Sequence, residues 1–413
     1  MKPATAGELL AKFRLGLRVY IQGGTGEPLA LRSLLAAAPE ALTGVTVTGC
    51  FLPGMNDFDY AALNATARLE TFLLPPAFRA SFEAGRVSVK PMAYSQIAVA
   101  MRDGPAPALA ILQVTGPDAD GLCSLGPCAD FAPLVWPRAG KVAAFINPSL
   151  PRARRGPTIP LSAIDIVLEA DGPFITAIEA APGADQLAIA QRIAGLVPDG
   201  AAIQTGIGGA PAAAVGRLTD RKGLVVRSGM VTEGYRALAE AGALVDHGHV
   251  TGLALGSPDF MAWACEAFTL ADATITHGPD ALAGIERLWA LNSALEVDLF
   301  GQANVEWQAG RLVSGLGGAP DFARAARRSP GGRGVLALPA TARGGTISRI
   351  VPRITSPSVS IPRDDTDLVI TEHGVADLRG ASLEGRAAAL IAVAAPDHRE
   401  GLERAWAEMK RRF

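Results

Sequence analysis

The chain has little with which to cross a membrane, grip a polyanion or staple itself together. Its longest uninterrupted apolar run, Ala387–Ala395, is nine residues, against the ~20 that a membrane-spanning helix needs. Thirty-eight Lys and Arg stand against 40 Asp and Glu, a formal net charge of −2. That balance offers no general attraction to nucleic acid or to an anionic membrane. The opening stretch MKPATAGELLAKFRLGLRVY has neither the apolar core nor the small-residue cleavage site of a signal peptide. Only four cysteines occur: Cys50, Cys123, Cys128 and Cys265. The one close pair, Cys123 and Cys128, lacks the second pair that a zinc site would need. The four read as buried thiols of a cytoplasmic protein rather than a disulfide frame. Five histidines are present. The His247-Gly248-His249 triplet has no third ligand near it and reads as a solvated loop between strands. No metal site is expected.

Familiar nucleotide and hydrolase signatures are also missing. There is no G-x-x-x-x-G-K-[ST] and no G-x-S-x-G, which argues against a P-loop protein and an α/β-hydrolase. No glycine loop fits G-x-G-x-x-G followed about 20 residues later by an acidic residue, so nicotinamide binding is disfavoured.

What is present is a 49 % hydrophobic chain with 46 glycines, in which short buried-strand runs alternate with Ala/Leu-rich stretches. Leu17–Gln22, Val45–Cys50, Leu69–Leu73, Ala108–Val114, Lys141–Asn147 and Ile164–Glu169 read as strands covered on both faces, and Pro28–Ala38 as a helix. Further on, Ala201–Gln204, Leu224–Val226, Ala294–Leu299, Gly334–Leu338 and Asp367–Thr371 read as strands. Gly183–Leu196, Ala212–Leu218, Tyr235–Ala241, Leu383–Ala394 and His398–Arg412 read as helices. This alternation predicts an α/β fold with open, mainly parallel sheets flanked by helices. A seam is expected near Asp171–Gly183, dividing the chain into domains 1–180 and 181–413. Pro148–Pro160 reads as a long surface loop.

Three glycine-rich loops sit at helix starts: Gly23–Pro28, Gly206–Pro211 and Gly315–Pro320. The last precedes a helix expected near Asp321. Such turns expose backbone N–H groups and admit a ligand closely, and the helix dipole favours negative charge there.

Longer stretches carry a family resemblance. DGAAIQTGIGGAPAAAV (199–215), LNSALEVDLFGQAN (291–304), VSGLGGAPDFARAARRSPGG (313–332), GGTISRIVP (344–352) and the segment 369–402 occur in family order. GGTGEP (23–28), VTGPDADGLCSLG (114–126) and FINPSLPR (145–152) match more loosely. The chain resembles the acetyl-CoA hydrolase/transferase family, of the 4-hydroxybutyrate CoA-transferase type within the class I CoA-transferase group. The resemblance implies two such α/β domains with the active site between them. It implies acyl-CoA and a small carboxylate as substrates, no tightly bound cofactor, and a homodimer or higher homo-oligomer. It also implies ping-pong chemistry, in which a glutamate attacks the thioester and passes through an acyl anhydride to a glutamyl-CoA. By position, Gly317 and Gly318 fall in the oxyanion loop and Asn292 near the thioester carbonyl. Gly206, Gly208 and Gly209 fall in the loop that approaches the acyl group. Arg343 and Arg349 are candidates for the CoA phosphates.

One position departs from the pattern. The family segment reads L-G-I-H-T-E-M-F-S-D-G, and here Leu224 to Gly234 reads LVVRSGMVTEG. Gly229 therefore stands at the glutamate. Glu233, matching the acidic residue four positions on, is one possible substitute. The other possibilities are a non-covalent reaction on an acyl-CoA (hydrolysis, decarboxylation or acyl-chain cleavage) and a protein that only binds CoA. Neighbouring Ser228 reads as a turn hydroxyl. The loop Val245–Val250 is shorter than in the family and is expected to alter the pocket rim.

Overall fold

A computed structural model describes residues 3–177 and 180–412. The expected seam and domain ends include positions 1, 2, 178, 179 and 413, which lie outside the described residues.

Seven parallel strands form the first sheet. They are β1 (Arg18–Ile21), β2 (Thr46–Thr48), β3 (Arg68–Thr71), β4 (Val87–Val89), β5 (Leu109–Val114), β6 (Val142–Ile146) and β7 (Ile166–Glu169), in the order β4-β3-β2-β1-β5-β6-β7. Successive side chains point to opposite faces of a strand, and the two faces have separate cores. Val19, Ile21, Ile111 and Phe145 pack with Leu31 and Leu35 of helix α1 (Leu29–Ala37). Tyr20, Leu112 and Ala144 pack with Ile97 and Met101 of α2 (Tyr94–Asp103).

The second sheet is built from β8 (Ala202–Thr205), β9 (Val225–Val226), β10 (Leu288–Ser293), β11 (Arg333–Ala337), β12 (Leu368–Thr371) and β13 (Gly374–Asp377), in the order β9-β8-β10-β11-β12-β13. Only β13 runs antiparallel to its neighbour. Helices α3 (Ala184–Leu196), α4 (Gly209–Val215), α5 (Gly234–Glu240) and α6 (Pro258–Ala267) share one core with it. On its other face lie α7 (Ala319–Arg328) and α8 (Leu383–Val393), with α9 (Pro396–Lys410) packed outside α8.

Several expectations shift. The strand expected at Ala294–Leu299 is present as the short strand Glu296–Asp298 in a small sheet, whereas β10 of the main sheet, which ends at Ser293, was not expected. Hydrophobicity runs through both segments, so pattern alone does not mark the break between them. Helix α4 begins at Gly209, three residues before its expected start, directly off the glycine turn. Pro148–Pro160 is not a free surface loop. Leu150, Ala153 and Ile159 are buried, and Thr158–Pro160 pairs with Leu122–Ser124. The Arg154 N–H donates to the Cys265 carbonyl at 2.9 Å, tying the strap to α6 of the second sheet. All four cysteines are free and buried. His249 is buried rather than solvated. Its Nδ1 accepts from the Val226 N–H at 3.1 Å, and its Nε2 lies 2.8 Å from the Val245 carbonyl. Burial lowers its pKa, and the neutral ring braces the start of the loop Val245–Val250.

Candidate active site

In open α/β sheets, ligands gather at the carboxyl ends of the strands where the strand order reverses. In the second sheet β8 lies between β9 and β10, and the loops that leave the ends of β8 and β10 line a cavity of about 280 Å³. Leu52, Pro53, Leu73 and Tyr94 close it from the first half. The second half supplies Gln204, Thr205, Gly206, Ile207, Gly229, Met230, His277, Asn292, Ser293, Val305, Phe322 and the loop 314–319.

Glycine is required at several of these points by close approach. A Cβ on Gly206 would collide with the Asn292 amide, and one on Gly208 with the Ser293 hydroxyl. Gly208 also has φ +150°. A Cβ on Gly209 would fall 2.5 Å from the Gln186 amide nitrogen; Gly206 lines the cavity, whereas Gly208 and Gly209 shape the turn behind it. Gly317 has φ +57° with open space before it. The loop is held by the opposite half: the Tyr94 N–H donates to the Gly317 carbonyl at 3.0 Å, and the Ser95 N–H and hydroxyl donate to Asp321 at 3.0 and 2.6 Å.

Asn292 and Gln204 form a reciprocal amide pair, with Asn292 donating at 3.0 Å and Gln204 at 3.3 Å. The pair fixes the Asn292 side chain at the cavity wall. Thr205 Oγ1 and the buried Tyr235 hydroxyl lie 2.9 Å apart. Ser228 is a turn hydroxyl, donating to the Met230 carbonyl at 2.7 Å.

His277 is the least expected member. It caps the short helix Ala273–Thr276, with its ring between Tyr94 (centroids 4.6 Å apart) and Phe322 (4.9 Å). Nδ1 is 2.8 Å from the Thr276 hydroxyl. Nε2 lies between Gly229 and Gly318: a Cβ on either would fall 2.7 or 2.5 Å from it. Burial lowers its pKa to about 3, so the imidazole is neutral.

The comparisons with known proteins agree with this architecture. Residues 1–179 match the model of the acetyl-CoA hydrolase/transferase N-terminal domain, and residues 256–406 that of its C-terminal domain. The chain belongs to the acetyl-CoA hydrolase/transferase family. It is 29 % identical to a 4-hydroxybutyrate coenzyme A transferase of Clostridium kluyveri, over all of this chain and 98 % of that one. The crystal structure of RipA from Yersinia pestis superposes with a TM-score of 0.91 at 28 % identity, covering 99 % of this chain and 98 % of the other. A 4-hydroxybutyrate CoA-transferase from Porphyromonas gingivalis superposes at 0.81 and 28 % identity, covering 100 % and 98 %.

Within this acetyl-CoA hydrolase/transferase fold the expected site residues separate. Gly206, Gly229, Asn292, Gly317 and Gly318 line the cavity together. Glu233 does not. Its carboxylate accepts from the Ser257 N–H at 2.9 Å and hydroxyl at 2.7 Å, which secures the start of α6. Arg343 is exposed at the tip of the hairpin Thr341–Ser348, and Arg349 is half-buried; neither lines the cavity. The first glycine loop serves the scaffold. Buried Glu27 accepts from the Tyr60 hydroxyl (2.6 Å), Asn56 (2.7 Å) and Arg32 (2.5 and 3.0 Å). Sequence reasoning missed His277, Gln204 and Tyr94. The clue for Gln204 was its place at the end of β8, where side chains meet the ligand crevice. Among the described residues no group of three or more His, Cys, Asp or Glu could hold a metal ion, and no helix is long and apolar enough to cross a membrane.

Proposed function

We propose that the cavity holds the thioester end of an acyl-CoA and that the protein hydrolyses it without a glutamyl intermediate. One observation carries this reading. Gly229 stands in the wall, His277 fills the space beside it, and no carboxylate lines the cavity among the described residues. Water attacks the thioester carbonyl, a C–O bond forms, and the C–S bond breaks. The products are a carboxylate, free CoA thiol and a proton. In this reading the backbone N–H groups of Gly317 and Gly318, with the Asn292 amide, stabilise the oxyanion. Gly206 lets the acyl group approach, Gly208 and Gly209 allow the turn behind it, and Arg343 and Arg349 meet the CoA phosphates. Glu233 is structural. The division near residue 180, a cytoplasmic location and a homo-oligomer belong to the same reading; light scattering checks the last.

The test is an acyl-CoA panel with and without an acceptor carboxylate, read as thiol release and as intact protein mass. Release without acceptor and without a mass adduct is expected. Acceptor-dependent exchange with a covalent CoA adduct overturns the reading, as does tight binding with no turnover of any thioester.

A further inference from the structure

We infer that the cavity accepts uncharged acyl chains and rejects acyl chains that end in a carboxylate. The inference rests on the acyl-CoA reading above and narrows its substrate class.

Leu52, Leu73, Met230, Leu253, Leu316 and Phe322 supply much of the wall. No Lys or Arg lines it among the described residues. A carboxylate taken out of water needs a paired charge or several hydrogen-bond donors, and without them its burial is strongly disfavoured. The one titratable nitrogen facing the space is on His277. It is packed between two aromatic rings, and burial holds it neutral. It has no carboxylate partner to favour an imidazolium, so it cannot act as a counter-ion. The charges nearest the wall in the chain have the wrong sign. Glu306 follows Val305, and Asp321 lies in the first turn of α7 beyond Ala319. Glu306 is buried and Asp321 half-buried, their carboxylates are held by Ser360 and Ser95, and neither position offers a cation to an acyl carboxylate. The polar side chains of the wall are all uncharged. Gln204 and Asn292 bond each other, Thr205 bonds Tyr235, the Tyr94 hydroxyl accepts from Cys50, and Ser293 and Ser314 add two hydroxyls. That set suits a carbonyl rather than an anion at the far end of a chain.

The test measures binding to the full chain by calorimetry, using CoA, butyryl-CoA, benzoyl-CoA and succinyl-CoA. Butyryl-CoA and benzoyl-CoA should bind at least about a hundredfold more tightly than succinyl-CoA. Met230→Lys should narrow that gap at least about tenfold by supplying a cation. Succinyl-CoA within about threefold of butyryl-CoA overturns the inference and leaves the acyl-CoA reading standing. So does a folded Met230→Lys variant that weakens both thioesters equally. Absence of binding by every CoA species overturns the acyl-CoA reading itself.

Discussion

The imidazole of His277 occupies the space into which a side chain on residue 229 would project. A Cβ there would stand 2.7 Å from Nε2 and nearer still to Cε1. Glycine at 229 and histidine at 277 are therefore one arrangement. Gly229→Glu alone should not create transferase chemistry. It should destabilise the protein by about 1–3 kcal/mol through overpacking and leave no CoA adduct in an intact-mass spectrum. Gly229→Glu combined with His277→Ala clears the space. An adduct mapping to residue 229 is expected only in the double variant.

The same histidine shapes the response to acid. Its pKa is about 3 in the fold and about 6.5 in an unfolded chain. Below pH 6.5 the unfolded chain gains a proton that the fold excludes, so stability falls as the pH drops from 6.5 toward 3. His277→Gln should lose less stability over that window. The ceiling on the difference is about 5 kcal/mol, and urea midpoints at pH 7, 5.5 and 4 measure it.

Asp130 has the opposite sign. Burial, and then the nearby Asp272 charge, push its carboxyl up to about 7. The fold keeps a proton that the unfolded chain releases above about pH 3.9, so stability is lost as the pH rises from there through 7. Asp130→Asn should therefore gain stability on the wild type between pH 4 and pH 8. A wild type that loses no ground to the variant over that range would contradict the assignment.

Asn292→Ala leaves the Gln204 amide buried without its partner. The expected loss is about 1–3 kcal/mol of stability. Turnover should fall while acyl-CoA binding persists. The double variant with Gln204→Leu should recover much of the stability and none of the turnover.

Glu27→Ala removes a buried carboxylate that satisfies Arg32, Tyr60 and Asn56 together. It should cost about 3–5 kcal/mol in chemical denaturation, with no change in acyl-CoA preference, since Glu27 does not line the cavity.

Strands with continuous apolar runs were legible in the sequence because both faces of a parallel sheet are covered. The first six expected runs each overlap a strand of the first sheet. The glycine loops were legible because a strand, a turn and a helix follow one another within ten residues. Helices α2 and α6 had no counterpart in the pattern. Polar residues interrupt Tyr94–Asp103, and α6 opens with Pro258-Asp259, so neither reads as one apolar face. His277 was hidden for a different reason. ATITHGPD carries no motif, and its importance comes from a neighbour with no side chain. A missing Cβ at 229 can be seen in sequence; what moves into the vacancy depends on the path of a chain nearly fifty residues away.

The hydrogen bonds from Tyr94 to Gly317 and from Ser95 to Asp321 join the halves at the glycine loop itself. A clamshell motion that parts the two sheets must break them. Parting the sheets and freeing the loop 314–319 that lines the cavity are then the same event. The second half produced alone would carry all the polar wall groups except Tyr94, yet its loop would lack the hydrogen bonds from Tyr94 and Ser95. Activity restored by mixing separately expressed halves would thus report docking of α2 against residues 317–321.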